Sequence, residues 1–330
     1  MSSQPTIVPL DQILAPIGDH LKKVEQLLLE NMRSEIPLLS EVGQYILKSG
    51  GKRIRPAMLL LAAGSVGKIT DDACVAANII EYLHTATLLH DDVVDNAELR
   101  RSQKSARTIW GNEASVLVGD YLFGYAFYYL GTLKNLQLVE ILSKTATLMA
   151  QGEIKQLTRN NQLTTETEYL DIIYYKTASL MESAMQIGCI LGGGGEAEQA
   201  LLGRCGKNIG MAFQMVDDAL DYDTSNRELG KEPGVDLKER KITLPLSHLM
   251  EAASKAERSE IDTILAADEI TDAHVERIGR LISFHQSDTY TLEQAQAYMT
   301  QAKQALDGIV DSRFKSSIIQ LSDFIVFRKM

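Results

Sequence analysis

No proline falls between Pro56 and Pro233, a stretch longer than half of the 330-residue chain. Proline breaks helix interiors, so this stretch is free to hold long helices. Apolar side chains recur in it at three- and four-residue spacing. Ile79, Ile80, Leu83, Thr87 and Val94 form one such series, and Leu138, Ile141, Leu142, Thr145, Leu148 and Met149 another. That period is the signature of an amphipathic helix, and no alternating pattern bounded by turn residues competes with it. The pattern predicts helices near 10–32, 36–49, 56–66, 70–97, 112–132, 135–160, 166–191, 196–224, 242–267, 271–287, 291–309 and 313–328. No shift in composition marks a boundary, so residues 1–330 are expected to form a single all-α domain. The main breaks are Gly50-Gly51, the Gly192–Gly195 run and Ser225 to Arg240. The glycine run lacks the Gly-Lys-Ser/Thr ending of a phosphate loop and reads as a helix connection.

Against this helical background stand two Asp-Asp-x-x-Asp clusters, Asp91/Asp92/Asp95 and Asp217/Asp218/Asp221. Asp91 and Asp95 are one helical turn apart and share a face. Each cluster follows an apolar helical run, as groups facing a cavity would. Carboxylates so crowded repel one another unless cations neutralise them. Hard oxygen ligands at this spacing suit Mg²⁺, which keeps several waters and shares its other positions with substrate phosphates. Two opposed helices bearing them could hold Mg²⁺ ions bridged by a diphosphate.

The basic residues fit an anionic substrate. Gly50-Gly51-Lys52-Arg53-Ile54-Arg55-Pro56 joins a turn, three cations and a helix start. Arginine forks, lysine point charges and helix N-terminal N–H groups are what a diphosphate needs. Arg100-Arg101 follows the first aspartates, and Lys176-Thr177, Lys231 and Lys241 add cations near the predicted clefts. His84 lies seven residues before Asp91, on nearly the same face. Overall the chain is acidic, with 33 Lys and Arg against 44 Asp and Glu. This argues against nucleic acid as a partner, which calls for the opposite balance. Cys74, Cys189 and Cys205 are an odd number, widely spaced, and read as buried thiols of a cytoplasmic protein. The polar first ten residues do not read as a signal peptide. No apolar run reaches the ~18 residues of a membrane span.

Taken together, these stretches resemble the trans-prenyl diphosphate synthases of the polyprenyl synthetase family, medium- and long-chain members in particular. The resemblance rests on residues 50–56, Leu-Leu-His-Asp-Asp-Val-Val-Asp-Asn at 88–96 and Arg100-Arg101. It continues through Gln151-Gly152-Glu153, Lys176-Thr177 and Phe213-Gln214-Met215-Val216-Asp217-Asp218-Ala219-Leu220-Asp221-Tyr222. Gly230-Lys231, Asp236-Leu237 and Lys241-Ile242-Thr243-Leu244-Pro245 complete it, in the family's order.

The resemblance implies an isoprenoid-synthase-type helical bundle around a central cavity, usually a homodimer. It implies Mg²⁺-dependent condensation of isopentenyl diphosphate with an allylic prenyl diphosphate. Asp91, Asp92, Asp95, Asp217 and Asp221 would bind the metal. Lys52, Arg55, His84 and Arg101 would hold isopentenyl diphosphate. Arg100, Lys176, Thr177, Gln214, Lys231 and Lys241 would hold the allylic diphosphate. Asp91, Asp95, Asp217, Lys176 and Lys231 would carry the chemistry. Short-chain members close the product tunnel with aromatic residues at the positions of Ala86 or Thr87. Both are small here, so an all-trans product in the octaprenyl range is expected, serving a quinone side chain. Leu83 lies one turn lower, and Met149 and Thr145 could form the floor. Farnesyl or geranylgeranyl synthesis is the alternative, ahead of a terpene cyclase or a non-catalytic partner subunit. The sequence departs from the common pattern in two places. Ser102 and Ser105 stand where many members have Gly and Pro, and Arg240 stands where Gly usually precedes the lysine.

Overall fold

The computed structural model describes residues 8–101, 103–159, 164–222 and 233–327. They form α-helices joined by short turns, with one two-residue hairpin, Leu99–Arg100 with Gln103–Lys104. The chain divides into two compact units. One comprises Met1–Ala146, Leu180–Gly206 and Ala305–Leu321; the other comprises Thr147–Ser179, Lys207–Gln304 and Ser322–Met330.

In the first unit, α1 (Leu10–Leu14) and α2 (Gly18–Asn31) are separated by a 3₁₀ turn at Ala15–Ile17, where Pro16 interrupts the predicted single helix. Next come α3 (Pro37–Lys48), α4 (Ile54–Val66) and α5 (Asp71–Val94). Helix α4 is apolar on all sides, and every residue from Pro56 to Ser65 is buried. Helix α5 begins at Thr70, whose hydroxyl caps the Ala73 N–H, with Asp71 and Asp72 favourably placed at the positive end of the helix dipole. It packs on α2, on α4 and most extensively on α7 (Asn112–Thr132), which follows the short α6 (Ala106–Trp110). Tyr82 of α5 meets Tyr125 of α7 edge-on at 5.7 Å. Helix α8 (Leu136–Arg159) begins in this unit, and α10 (Ser179–Gly192) runs almost wholly within it. The glycine run ends α10: Gly193 takes φ 90°, and the Gly194 N–H returns to the Cys189 carbonyl at 2.9 Å. That is a left-handed helix stop, in keeping with the connection read from sequence. Cys74, Cys189 and Cys205 are buried free thiols, and burial pushes Cys205 up to about 12.

The second unit contains α9 (Glu166–Ile173), opened by a capping box between Thr165 and Glu168. A five-residue π turn, Tyr174–Ala178, follows directly. Helix α11 (Glu196–Asp221) ends here, and α12 (Val235–Lys238), α13 (Leu244–Ala252), α14 (Lys255–Leu265), α15 (Asp272–Phe284) and α16 (Ser287–Ala305) surround a core that includes Leu237, Leu246, Leu249, Ile261, Ile278 and Ile282. The helix expected over 242–267 is two helices. Ser254 and Glu257 form a capping box that starts α14, and Ala253 is extended. Last in the chain is α17 (Arg313–Phe327).

Candidate active site

The first aspartate cluster stands at the C-terminal end of α5, and the second at the C-terminal end of α11. A helix C-terminus carries partial negative charge, so carboxylates there are opposed by the dipole as well as by each other. Stability favours the reverse arrangement, with cations at this end. Two separate helices built the unfavourable way each present a locus that a divalent cation would stabilise.

The members of each cluster differ. Asp91 and Asp95 are partly exposed, with the Asp95 N–H bonded to the Asp91 carbonyl at 2.8 Å. Asp92 faces inward and is fully buried. Its Oδ1 accepts from Arg100 Nε at 2.8 Å and Nη2 at 2.6 Å, while its Oδ2 is buried without a hydrogen bond. Burial raises its pKa against the opposing pull of Arg100. Arg100, expected on the allylic diphosphate, is therefore engaged by Asp92 in the first unit. Asp217 is partly exposed. Asp218 is buried, accepting from Tyr169 Oη at 2.7 Å and from Gln214 Nε2 at 2.8 Å, and burial pushes it up to about 7. Asp221 accepts the N–H groups of Val235 and Asp236 at 3.2 and 3.0 Å, and burial pushes it up to about 6. Among the described residues no three acidic, His or Cys side chains converge as a ready-made metal site. The bonds just given explain this: Asp92, Asp218 and Asp221 are turned to protein donors.

The basic loop lies in the first unit. Arg53, at φ 48°, precedes α4; its guanidinium pairs with Glu81 of α5 and donates to the Leu47 carbonyl at 2.8 Å. Glu81 is only 4% exposed, so this is a buried ion pair that ties the loop to α5. Arg53 stands between Lys52 and Arg55, two of the four residues that the resemblance would place on isopentenyl diphosphate. Arg55 Nη1 lies 3.1 Å from His84 Nε2. Arginine only donates, so His84 Nε2 accepts and the imidazole is neutral. Burial, then Arg55 and Arg101, hold His84 well below its usual pKa. Arg101 is itself in the left-handed region at φ 53°. Glu81 belongs to none of the motifs, although it stands three residues before His84, on the same side of α5.

This neutral histidine sets a pH dependence. The unfolded chain takes up a proton near pH 6.5 and the folded chain does so only lower, so stability is lost as pH falls below about 6.5. The melting temperature of the wild type should drop more steeply between about pH 6.5 and 5 than that of His84→Gln. Equal slopes would contradict an imidazole held neutral in the folded chain.

The second unit gathers the other cations around a cavity lined by Lys176, Thr177, Gln214, Asp218, Asp236 and Lys241, among others. Lys176 and Thr177 sit on the π turn, an irregularity that often marks functional positions. The turn fits because α8 presents Gly152 to it. A β-carbon there would stand 2.8 Å from the Lys176 backbone nitrogen and 2.9 Å from Tyr175 Cβ. From the same helix, Glu153 and Gln156 hold Lys176 Nζ at 2.6 and 2.9 Å. Thr177 Oγ1 donates to Gln214 Oε1 at 2.9 Å, which continues the chain through Gln214 to Asp218 and Tyr169. Lys241 Nζ pairs with Glu239 at 2.7 Å. The structure thus unites Lys176, Thr177, Gln214 and Lys241, while Lys231 and Ser102 lie outside the described residues. Gln156 and Tyr169 are participants that local sequence pattern did not reveal, and Glu153 stood in the Gln151-Gly152-Glu153 stretch without a role.

Of the residues expected to set product length, Leu83 and Ala86 are buried on α5, while Thr87 is half-exposed and bonds its own turn at the His84 carbonyl. Met149 is buried. Thr145 shares its hydroxyl with Ser183 at 2.5 Å, a bond between α8 and α10 that gives it a packing role.

Among the described residues, no helix is long and apolar enough to cross a membrane. The polyprenyl synthetase family model matches residues 36–282. The octaprenyl diphosphate synthase of Haemophilus influenzae is 36% identical over 323 residues, covering 98% of each chain. The crystal structure of a decaprenyl diphosphate synthase from Rhodobacter capsulatus superposes with a TM-score of 0.92 at 37% identity, over 97% of this chain and 99% of that one. A polyprenyl synthase from Caulobacter crescentus, crystallised with calcium and isoprenyl diphosphate, gives 0.94 at 35% identity, over 99% and 100%. On these matches, this chain belongs to the polyprenyl synthetase family and is an all-α prenyltransferase.

Proposed function

We propose that this protein condenses isopentenyl diphosphate with an allylic prenyl diphosphate, repeatedly, to give an all-trans polyprenyl diphosphate in the octaprenyl range. The observation that carries this reading is the placement of two aspartate triplets at helix C-termini, each accompanied in its own unit by lysines, arginines or both. Hard carboxylate oxygens at negative helix ends, with one orphaned oxygen on Asp92, fit Mg²⁺. Asp91 and Asp95 of the first cluster, and Asp217 and Asp221 of the second, are the residues that would hold it, with Asp92 behind the first pair. When bound, the metal would neutralise charge on the allylic diphosphate.

The protein's own groups divide the remaining work. Lys176, Thr177, Gln214 and Lys241 bind the allylic diphosphate, and their cations stabilise the negative charge that grows as its C–O bond breaks. Lys52, Arg55, His84 and Arg101 hold isopentenyl diphosphate, whose double bond attacks the allylic carbon. Neutral His84 can accept from Arg55 while its other nitrogen donates to a phosphate oxygen. The new C–C bond leaves a cation that loses a proton, and the departed diphosphate is the base that takes it. Apolar walls must keep water from the cation. The quinone-side-chain role expected from sequence is kept as part of this proposal.

Small residues at Ala86 and Thr87 support a long product, as does likeness to synthases named for octaprenyl and decaprenyl chains. A homodimer is proposed as well. Helix α7 is largely apolar, and Leu117 and Tyr128 are 66% and 69% exposed on one face of it. Buried free thiols support a cytoplasmic location.

Substrate-specific kinetics test the division of sites. Arg55→Ala should raise KM for isopentenyl diphosphate by about tenfold or more, the cost of a lost arginine fork, and change the allylic KM little. Lys241→Met should do the reverse. Equal weakening of both substrates by each variant would show that the division is wrong.

A further inference from the structure

We propose that Arg240 is a positioning residue for the allylic diphosphate, acting through Lys241. The inference rests on the reading of Lys241 given above. Arg240 takes φ 61°, a backbone conformation that glycine adopts freely and an L side chain does not. A non-glycine residue there needs compensation, and the side chain supplies it. Nη1 donates to the Leu265 carbonyl at 2.6 Å, and Nη2 donates to the Ala267 and Asp268 carbonyls at 2.6 and 3.1 Å. These carbonyls close the C-terminal end of α14, where helical oxygens lack partners and the dipole attracts a cation. One planar guanidinium thus binds three oxygens in a fixed geometry, which a lysine could not reproduce.

The segment held this way carries cavity-lining residues at both ends of its short helix. Its start is fixed to Asp221: the N–H groups of Gly234, Val235 and Asp236 bond the carbonyl and both carboxylate oxygens of that residue. Its finish is fixed by Arg240. Between them α12 makes one turn, with the Arg240 N–H on the Leu237 carbonyl at 3.0 Å and the Lys241 N–H on the Asp236 carbonyl at 2.8 Å. Lys241 follows Arg240 directly, and its side chain is only 12% exposed, at the cavity that Lys176 and Gln214 also line. Rotation about the residue 240 backbone would swing Lys241. The grip on α14 prevents it. Where a glycine would leave the turn free, this chain uses an arginine that fixes the turn from behind.

The test is a double-mutant cycle read in the Michaelis constants of the two substrates, with the melting temperature of every variant. Arg240→Met should raise the allylic KM by about tenfold while leaving that for isopentenyl diphosphate within about twofold. The double variant Arg240→Met/Lys241→Met should match Lys241→Met alone within about twofold, because the arginine acts only through the lysine. Arg240→Gly relieves the backbone as it removes the grip. It should fold even if Arg240→Met fails to, and show the same rise in allylic KM. An unchanged allylic KM in both Arg240 variants, with a lowered melting temperature, would reduce Arg240 to a packing staple and overturn the inference. Additive effects in the double variant would overturn it too. An unchanged allylic KM in Lys241→Met would overturn the reading of the cavity itself, and the inference with it.

Discussion

Asp91→Ala is expected to lower kcat by about 10²–10³-fold or more while the helices stay folded. The side chain is partly exposed at the negative end of α5, beside Asp95 and Asp92. It contributes little to packing. It stands at a helix end and not in the core, so its removal should leave the helices folded in chelator. Asp95→Ala and Asp217→Ala should behave alike. Asp92→Ala should not: it strands Arg100 beside a buried gap, and stability should fall together with activity. Steady-state turnover in Mg²⁺, paired with thermal melts in chelator, checks all four. Near-normal turnover of Asp91→Ala would contradict the metal assignment.

The second large effect concerns product length. Thr87→Phe is expected to shorten the product to farnesyl or geranylgeranyl length with turnover retained. Thr87 lies one helical turn, ~5.4 Å, below Asp91 on the same face. Its side chain is only partly buried, so a phenyl ring is less crowded there than at Ala86. Ala86 is a harsher position. It is fully buried, so Ala86→Phe forces the ring into closed packing and should cost about 1–3 kcal/mol of stability as well. Tyr82 lies one turn below Ala86, already packed on Tyr125. Chromatography of labelled products checks the pair. Wild-type length from Thr87→Phe would show that the tail does not pass that face of α5.

Much of this was legible in the sequence because it is local. Helical period, the proline-free stretch and the i, i+4 aspartates are all properties of neighbouring residues, and they located α5 and α11 with their acidic ends. The break before α14 was equally local: Ser254-x-x-Glu257 spells a capping box, but the continuous apolar period on either side masks it. What sequence could not supply depends on contacts between distant segments. The π turn at Tyr174–Ala178 exists where Gly152, more than twenty residues away, lets two helices approach. Glu81 becomes part of the site only when α4 packs on α5 and brings Arg53 against it. Asp92, Asp218 and Asp221 look like their cluster mates in sequence. Only the fold shows that they face Arg100, Tyr169 and the start of α12. The departure at Arg240 was visible as a missing glycine, but its partner carbonyls at the end of α14 were not.

The central claim is that this chain elongates an allylic diphosphate with isopentenyl diphosphate. The most direct measurement is mass analysis of the product formed by the purified protein from labelled isopentenyl diphosphate and farnesyl diphosphate in Mg²⁺. A ladder of all-trans polyprenyl diphosphates ending in the octaprenyl range, absent in chelator, is the predicted result. Product formed from farnesyl diphosphate alone, or no incorporation of label in Mg²⁺, would contradict it.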